Sequence, residues 1–361
     1  MAFALNSYPI SYRAKFSGTD WTDEYLEKPH ETPEKEAAMS EEERSEIENL
    51  RNCFEDMPLV NYTSQYGLAC FEGLKAFPQK DGGLSIFRPD RNAKRFYESM
   101  IGLKMPPFPQ DLFIKACIET VKRNAELGFS VRYKPEWEKD SFLSADSIYL
   151  RPFTIAEGGI GVNISREPWV VVIASTVSSY FSAGNSDAIV TERIRATPKG
   201  TGWIKACSNY ALAALAKHEA MEAGYMECVF LDSTHRKYIE EGSSCNIFFL
   251  LKSGELVTPE LGDTILPGIT RASIIEIVRD NGLKVSERKI SIEEALDETK
   301  ECFVSGTTAG AVSITSLTWQ DKKAVFGDGK PGELASEIRN TLKGIQYGTL
   351  PDTKGWMTRV V

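Results

Sequence analysis

Lys199-Gly200-Thr201-Gly202-Trp203-Ile204-Lys205-Ala206-Cys207-Ser208-Asn209-Tyr210 is the stretch on which the reading of this chain turns. A Gly-rich turn leads into a lysine and then into an Ala-rich run that predicts a helix over 211–223, so Lys205 projects from a tight, partly apolar junction beside Trp203 and Ile204. A lysine amine is mostly protonated at neutral pH, and a junction that strips water from such an amine favours the free base that attacks a carbonyl to form a Schiff base. By itself a lysine in this position is more often a surface residue at a helix start. Its meaning depends on partners elsewhere in the chain.

Working outward from that junction, the Ser/Gly/Asn-rich segment 178–190 reads as an interdomain loop, with a smaller N-terminal α/β domain over 1–177 and a larger domain over 191–361. In the first domain the Glu/Lys/Pro-rich stretch 23–51 reads as a solvated arm ending in a helix near Ser40 to Arg51, where Ser40 and Glu43 have capping-box spacing. Short apolar runs broken by Asp81-Gly82-Gly83 predict an antiparallel hairpin between Tyr66 and Phe87, followed by a helix over 91–100. Ser147 to Ile155 alternates as a strand does, and Trp169 to Ser175 is a Val/Ile run suited to a buried strand. In the second domain, strands at 228–231, 246–250 and 301–304 alternate with helices at 211–223, 270–281 and 292–297. The fold class expected is mixed α/β (α+β) in two domains.

The 361 residues are 42% hydrophobic and 26% charged, which is enough apolar material for two cores. A net charge of −9 without a basic tract argues against nucleic acid or an anionic membrane as partner. No apolar run approaches the roughly 18 residues that a bilayer requires, and the opening residues lack the charged and apolar regions of a leader, so the expected location is cytoplasmic. Seven cysteines without a Cys-x-x-Cys pair read as reduced thiols, and three scattered histidines give no reason to expect a metal.

Three segments have the makings of an anion site. In Leu266-Pro267-Gly268-Ile269-Thr270-Arg271 a turn opens directly into an amphipathic helix, which points the Ile269 and Thr270 amides at an anion or simply starts a helix. Ser305-Gly306-Thr307-Thr308-Ala309-Gly310 follows a strand with small residues and exposed amides, the composition of an anion nest. Arg95 would add a bidentate cation, although a guanidinium on an amphipathic helix is more often solvated. Glu241 lies where a strand meets a Gly/Ser turn; a buried carboxylate there would hold a proton on a pyridine nitrogen, while adjacent Glu240 and Glu241 also fit a solvated pair. Tyr149 and Arg151 share one face of their strand by its period of two.

Taken together and in order, Tyr66-Gly67-Leu68-Ala69-Cys70-Phe71-Glu72-Gly73-Leu74-Lys75, Tyr149-Leu150-Arg151-Pro152, Lys205 to Tyr210, Glu241 to Asn246, Leu266 to Arg271 and Ser305-Gly306-Thr307 resemble the branched-chain amino acid aminotransferases of the fold type IV class of pyridoxal-phosphate enzymes. The likeness extends to Gln346-Tyr347-Gly348 and Trp356. It implies pyridoxal 5'-phosphate between two domains, Lys205 as Schiff-base lysine and acid/base, Glu241 on the pyridine nitrogen and Tyr210 on the ring O3′. It further implies a phosphate cup of Arg95, Ile269, Thr270 and Thr307, with Arg195 close to the cofactor. Substrate carboxylate would meet the amides of Thr308 and Ala309 near Tyr66, its side chain would meet Phe71, Tyr149 and Tyr180, and Arg151 would help accept a γ-carboxylate.

The implied reaction is ping-pong amino transfer between L-leucine, L-isoleucine or L-valine and 2-oxoglutarate in a homodimer. Each methylene is worth only ~1 to 3 kcal/mol of discrimination against an apolar wall, so all three amino acids should be accepted. A D-amino acid transaminase or aminodeoxychorismate lyase is the neighbouring alternative, and a non-catalytic pyridoxal-phosphate binder the alternative from another class. Departures from the family pattern are Cys207 and Ser208 where two glycines are usual, a loop between Tyr180 and Arg195 that is shorter than in animal members, and Ala309-Gly310-Ala311-Val312 where those members carry a redox Cys-x-x-Cys.

Overall fold

A computed structural model describes residues 6–178, 186–308 and 310–361. They fall into two compact units, Met1–Ser179 with Gly344–Val361, and Tyr180–Lys343. Along the first lie β1 (Ile10–Phe16), β2 (Trp21–Glu27), α1 (Pro33–Ala38), α2 (Glu41–Arg51), α3 (Tyr62–Tyr66), β3 (Leu74–Pro78), β4 (Leu84–Phe87), α4 (Pro89–Gly102), α5 (Gln110–Glu126), β5 (Ser147–Ile155) and β6 (Trp169–Val177). Along the second lie β7 (Asp187–Val190), α6 (Ser208–Glu222), β8 (Glu227–Leu231), β9 (Ile239–Gly242), β10 (Asn246–Leu251), β11 (Leu256–Thr258), α7 (Ile269–Asp280), β12 (Val285–Glu287), α8 (Ile292–Glu298), β13 (Thr299–Gly306), β14 (Gly310–Ile314), β15 (Ser316–Trp319) and β16 (Lys322–Val325). Helix α9 (Glu333–Gln346) crosses the division, and β17 (Met357–Arg359) ends the chain.

The first unit is built on one antiparallel sheet of order β17-β4-β3-β5-β6-β1-β2. Period-two alternation in β5 turns Ile148 and Leu150 into the core while Tyr149, Arg151 and Phe153 stand half-exposed on the opposite face. Helices α4 and α5 cover the core face with Phe96, Met100, Phe113 and Val121. Helix α2 starts where its capping box predicts: Ser40 Oγ accepts from the Glu43 amide at 3.3 Å, and Glu43 returns a bond from the Ser40 amide at 2.9 Å.

Two expectations for this unit are corrected. The charged stretch read as a solvated arm begins instead with β2, an edge strand whose charged side chains stay in solvent while its backbone pairs with β1. The C-terminal residues, expected in the second domain to 361, belong with the first unit. Strand β17 pairs with β4, and buried Tyr347 stacks on Phe142 at 4.7 Å and meets Phe77 edge-on at 5.1 Å.

The second unit has two five-stranded sheets, β12-β11-β10-β13-β14 and β16-β15-β7-β8-β9. Their facing sides share a core of Val190, Val229, Leu231, Ile247, Phe249, Val304 and Leu317. Alternation in β10 sends Phe248 and Leu250 to the other face, against Ile274, Ile275 and Val278 of α7 and Ile338 of α9. Asn246 begins β10 with that same parity, and its register partner in β13 is Ser305. The turn side chains that matter below are therefore carried on the ends of buried strands. Among the described residues no helix is long and apolar enough to cross a membrane.

Candidate active site

Within the second unit, Lys205 lies in the short junction before α6, and its Nζ donates to the Tyr210 hydroxyl at 2.7 Å. Asn209 pins the junction from the first turn of the helix: its Nδ2 donates to the carbonyls of Thr201 at 2.8 Å and Ile204 at 3.0 Å. Lysine and tyrosine five residues apart thus meet because the chain between them has only begun to wind.

Glu240 and Glu241 are both buried, which excludes the solvated-pair reading. The Glu241 carboxylate sits 2.8 Å from Arg195 Nη2, with both side chains at most 6% exposed. It also accepts from Asn246 Nδ2 at 3.2 Å and from the Leu266 amide at 3.4 Å. Burial pushes its carboxyl up to about 7 even though the Arg195 cation pulls the other way. Arg195 is held in turn by the carbonyls of Thr264 at 2.9 Å and Gly202 at 3.3 Å.

Ile269 and Thr270 form the first turn of α7, whose N-cap Gly268 makes no side-chain capping bond. The amide end of α7 is therefore free of a side-chain cap and attracts an anion. Gly268 leaves room for the Asn246 amide, since a Cβ would stand 1.9 Å from Asn246 Oδ1 and push it aside. Thr307 and Thr308 occupy the turn between β13 and β14. Nearby in sequence, Ser305 Oγ is buried and lacks a hydrogen-bond partner among the described residues.

The first unit assembles its own group. Arg151 Nη2 donates to the Tyr149 hydroxyl at 2.7 Å, and the guanidinium lies 4.5 Å from the Phe71 ring centroid. Tyr149 fits because residue 73 is glycine, since a Cβ there would lie 2.1 Å from the phenol oxygen. Arg95 departs from the solvated state commoner for its type: it is buried on α4 and grips Glu72 with two nearly parallel contacts, Nε to Oε1 at 2.7 Å and Nη2 to Oε2 at 2.8 Å. Tyr66 ends α3 at 45% exposure and accepts from the Gly161 amide at 2.7 Å. Tyr180 and Ala309 lie outside the described residues.

Glu72 and Asn246 fall within the sequence motifs, yet sequence reasoning assigns neither a role. The signal for each is indirect: an acid next to a glycine before a strand, and an amide five residues after Glu241.

A uniform picture comes from comparison with known proteins. Residues 69–317 match the family model of amino-transferase class IV, and the chain belongs to that family. Among curated relatives, it is 39% identical over 307 residues to the branched-chain-amino-acid aminotransferase of Mycolicibacterium smegmatis, covering 82% of this chain and 80% of that one. It is 36% identical over 305 residues to branched-chain-amino-acid transaminase 1 of Bacillus subtilis, covering 82% of each chain. Among solved structures, the T.th. branched-chain amino acid aminotransferase complexed with N-(5'-phosphopyridoxyl)-L-glutamate superposes with a TM-score of 0.71 at 28% identity, over 85% of this chain and 94% of that one. The Escherichia coli branched-chain amino acid aminotransferase gives 0.72 at 27% identity, over 85% and 95%.

Proposed function

We propose that this chain is a branched-chain-amino-acid transaminase that uses pyridoxal 5'-phosphate to move the amino group of L-leucine, L-isoleucine or L-valine reversibly to 2-oxoglutarate. The observation that carries the reading is the Lys205 Nζ to Tyr210 hydroxyl contact in a unit that also buries the Glu241 carboxylate. The donor set suits this cofactor. An acid whose carboxyl titrates near neutrality can face a ring nitrogen, an uncapped helix end and the Thr307 hydroxyl can face a phosphate, and the unpartnered Ser305 hydroxyl leaves a buried donor to spare.

Bound pyridoxal phosphate supplies an electrophilic carbonyl and a ring that takes up the electron pair released at the substrate α-carbon. The chain does the rest. Lys205 Nζ would hold the group and would carry the substrate α-carbon proton. The Tyr210 hydroxyl, accepting from Lys205, keeps its own proton to donate to the ring O3′. Glu241, anchored by Arg195, would keep a proton on the ring nitrogen. Ile269, Thr270 and Thr307 would hold the phosphate, and Arg95 is the cation assigned to the same group.

Substrate carboxylate would meet the Thr308 amide in the turn between β13 and β14. Its side chain would meet Phe71 and Tyr149, where the Arg151 guanidinium over Phe71 gives an aromatic wall with a cationic rim. Such a wall accepts either an aliphatic chain or, at the rim, the γ-carboxylate of glutamate. Leu59, Ile160 and Val162, each at least 80% exposed, favour association into a homodimer. A cytoplasmic location completes the reading.

The test is the visible absorbance of the cofactor-loaded protein before and after L-leucine. The band is expected to disappear in the wild type and persist in Lys205→Ala, whose turnover falls by at least about 10² to 10⁴-fold. A band unmoved by L-leucine but changed by D-alanine or an aminated chorismate would transfer the chain to a sister activity.

A further inference from the structure

The geometry points to Asn246 as a positioning residue that ties the two ends of the cofactor site together. Its Nδ2 donates to Glu241 Oε2 at 3.2 Å and to the Leu266 carbonyl at 3.0 Å, one hydrogen for each acceptor. Its Oδ1 fills the space over Gly268, the N-cap of α7, where a Cβ would come within 1.9 Å. One buried amide therefore fixes both the carboxylate assigned to the ring nitrogen and the turn that launches the helix assigned to the phosphate.

Strand β10 makes this possible. Its register with β13 anchors the Asn246 backbone opposite Ser305, and the strand continues into the buried Phe248–Phe303 stack at 4.8 Å. The amide is thus held from a rigid element.

This inference rests on the transaminase reading, and its test separates the two. Apo wild type, Glu241→Gln, Asn246→Ala and the near-isosteric Asn246→Asp are titrated with pyridoxal, which probes the ring end alone, with inorganic phosphate, which probes the other end, and with pyridoxal phosphate. Glu241→Gln is expected to weaken pyridoxal and spare phosphate. Both Asn246 variants are expected to weaken each partial ligand by about 3-fold or more, within the range of coupled neighbours.

A second readout distinguishes positioning from general loosening. Loss of the Asn246 donor removes a bond to the ionised carboxylate, so the pH midpoint for pyridoxal binding should move upward in Asn246→Ala. A residue that merely stabilised the fold would lower affinity without moving that midpoint. Gly268→Ala, which pushes the amide aside, should reproduce the loss in the wild type and add little in Asn246→Ala. Loss at one end only, an unmoved midpoint, or a Gly268→Ala cost equal in both backgrounds would overturn the role of Asn246. A wild type that binds no pyridoxal phosphate would overturn the transaminase reading and this inference with it.

Discussion

Two buried arginine–glutamate pairs, one in each unit, look alike and are built for different ends. Among the described residues, Glu72 accepts from Arg95 twice, at 2.7 and 2.8 Å, from Asn92 Nδ2 at 2.7 Å and from the Gly73 amide at 3.2 Å. Its lone pairs are spoken for, and its side chain is wholly buried. Glu241 faces Arg195 at 2.8 Å, while its contacts with Asn246 and the Leu266 amide are long, at 3.2 and 3.4 Å. Burial leaves its carboxyl near 7, poised to gain from one further cationic or protonated partner. A saturated pair is a strut; an undersupplied one is an acceptor awaiting a ligand.

Stability should separate them most. Glu72→Gln strips the charge that compensates buried Arg95, and breaking such a pair costs about 3 to 5 kcal/mol. Denaturant unfolding should show that loss, while a drop of under about 1 kcal/mol would mean that Arg95 finds another counter-charge on unloading. Glu241→Gln should show the opposite balance. Replacing a carboxyl that is already costly to ionise leaves stability little changed, whereas turnover in the L-leucine and 2-oxoglutarate assay should fall on the order of 10²-fold or more, as for loss of one preorganised electrostatic partner.

The same contrast has a signature in pH. In the cofactor-free protein the folded Glu241 carboxyl lies near 7, above its ordinary value of 4.5. The folded state therefore holds the proton more tightly than the unfolded chain. Its contribution to stability is fully present below about 4.5 and is lost as pH rises through about 7. Unfolding free energies measured across that window should fall more steeply with pH in wild type than in Glu241→Gln. Equal slopes would mean that the site admits enough water or cation to keep the carboxylate at its ordinary value.

How far such features are legible in the sequence follows from how local their causes are. Strand β5 spans Ser147–Ile155 as its alternation predicts, and α2 begins after Ser40 because the capping box is written within four residues. The Lys205–Tyr210 contact is legible for the same reason. The return of β17 to β4 is not, because it depends on pairing across some 270 residues with no turn to announce it. Charge misleads where burial is decided far away. The acids Asp23, Glu24 and Glu27 conceal an edge strand, and two adjacent glutamates look solvated until Arg195 and Asn246 are brought to them. Glu72 stands beside Gly73 in an evident motif, yet the Asn92 and Arg95 donors that saturate it come from α4, 20 and 23 residues on.

The smallest expected effect probes how the strut serves the substrate wall. Gly73 has two duties: its amide bonds Glu72, and its missing Cβ admits the Tyr149 phenol, which accepts from Arg151 at 2.7 Å. Alanine at 73 keeps the amide but drives a methyl to within 2.1 Å of the phenol oxygen, so Tyr149 must swing and Arg151 loses its partner. The Glu72–Arg95 pair should survive, leaving cofactor affinity near that of wild type. With Arg151 less well placed for a γ-carboxylate, KM for 2-oxoglutarate should rise by up to about tenfold, with a smaller change for 4-methyl-2-oxopentanoate, whose side chain asks nothing of the cation. Tyr149→Phe removes the same acceptor without the clash and should shift the ratio in the same direction. If Gly73→Ala instead lowers cofactor affinity and leaves the ratio of the two KM values unchanged, the glycine belongs to the strut rather than to the wall.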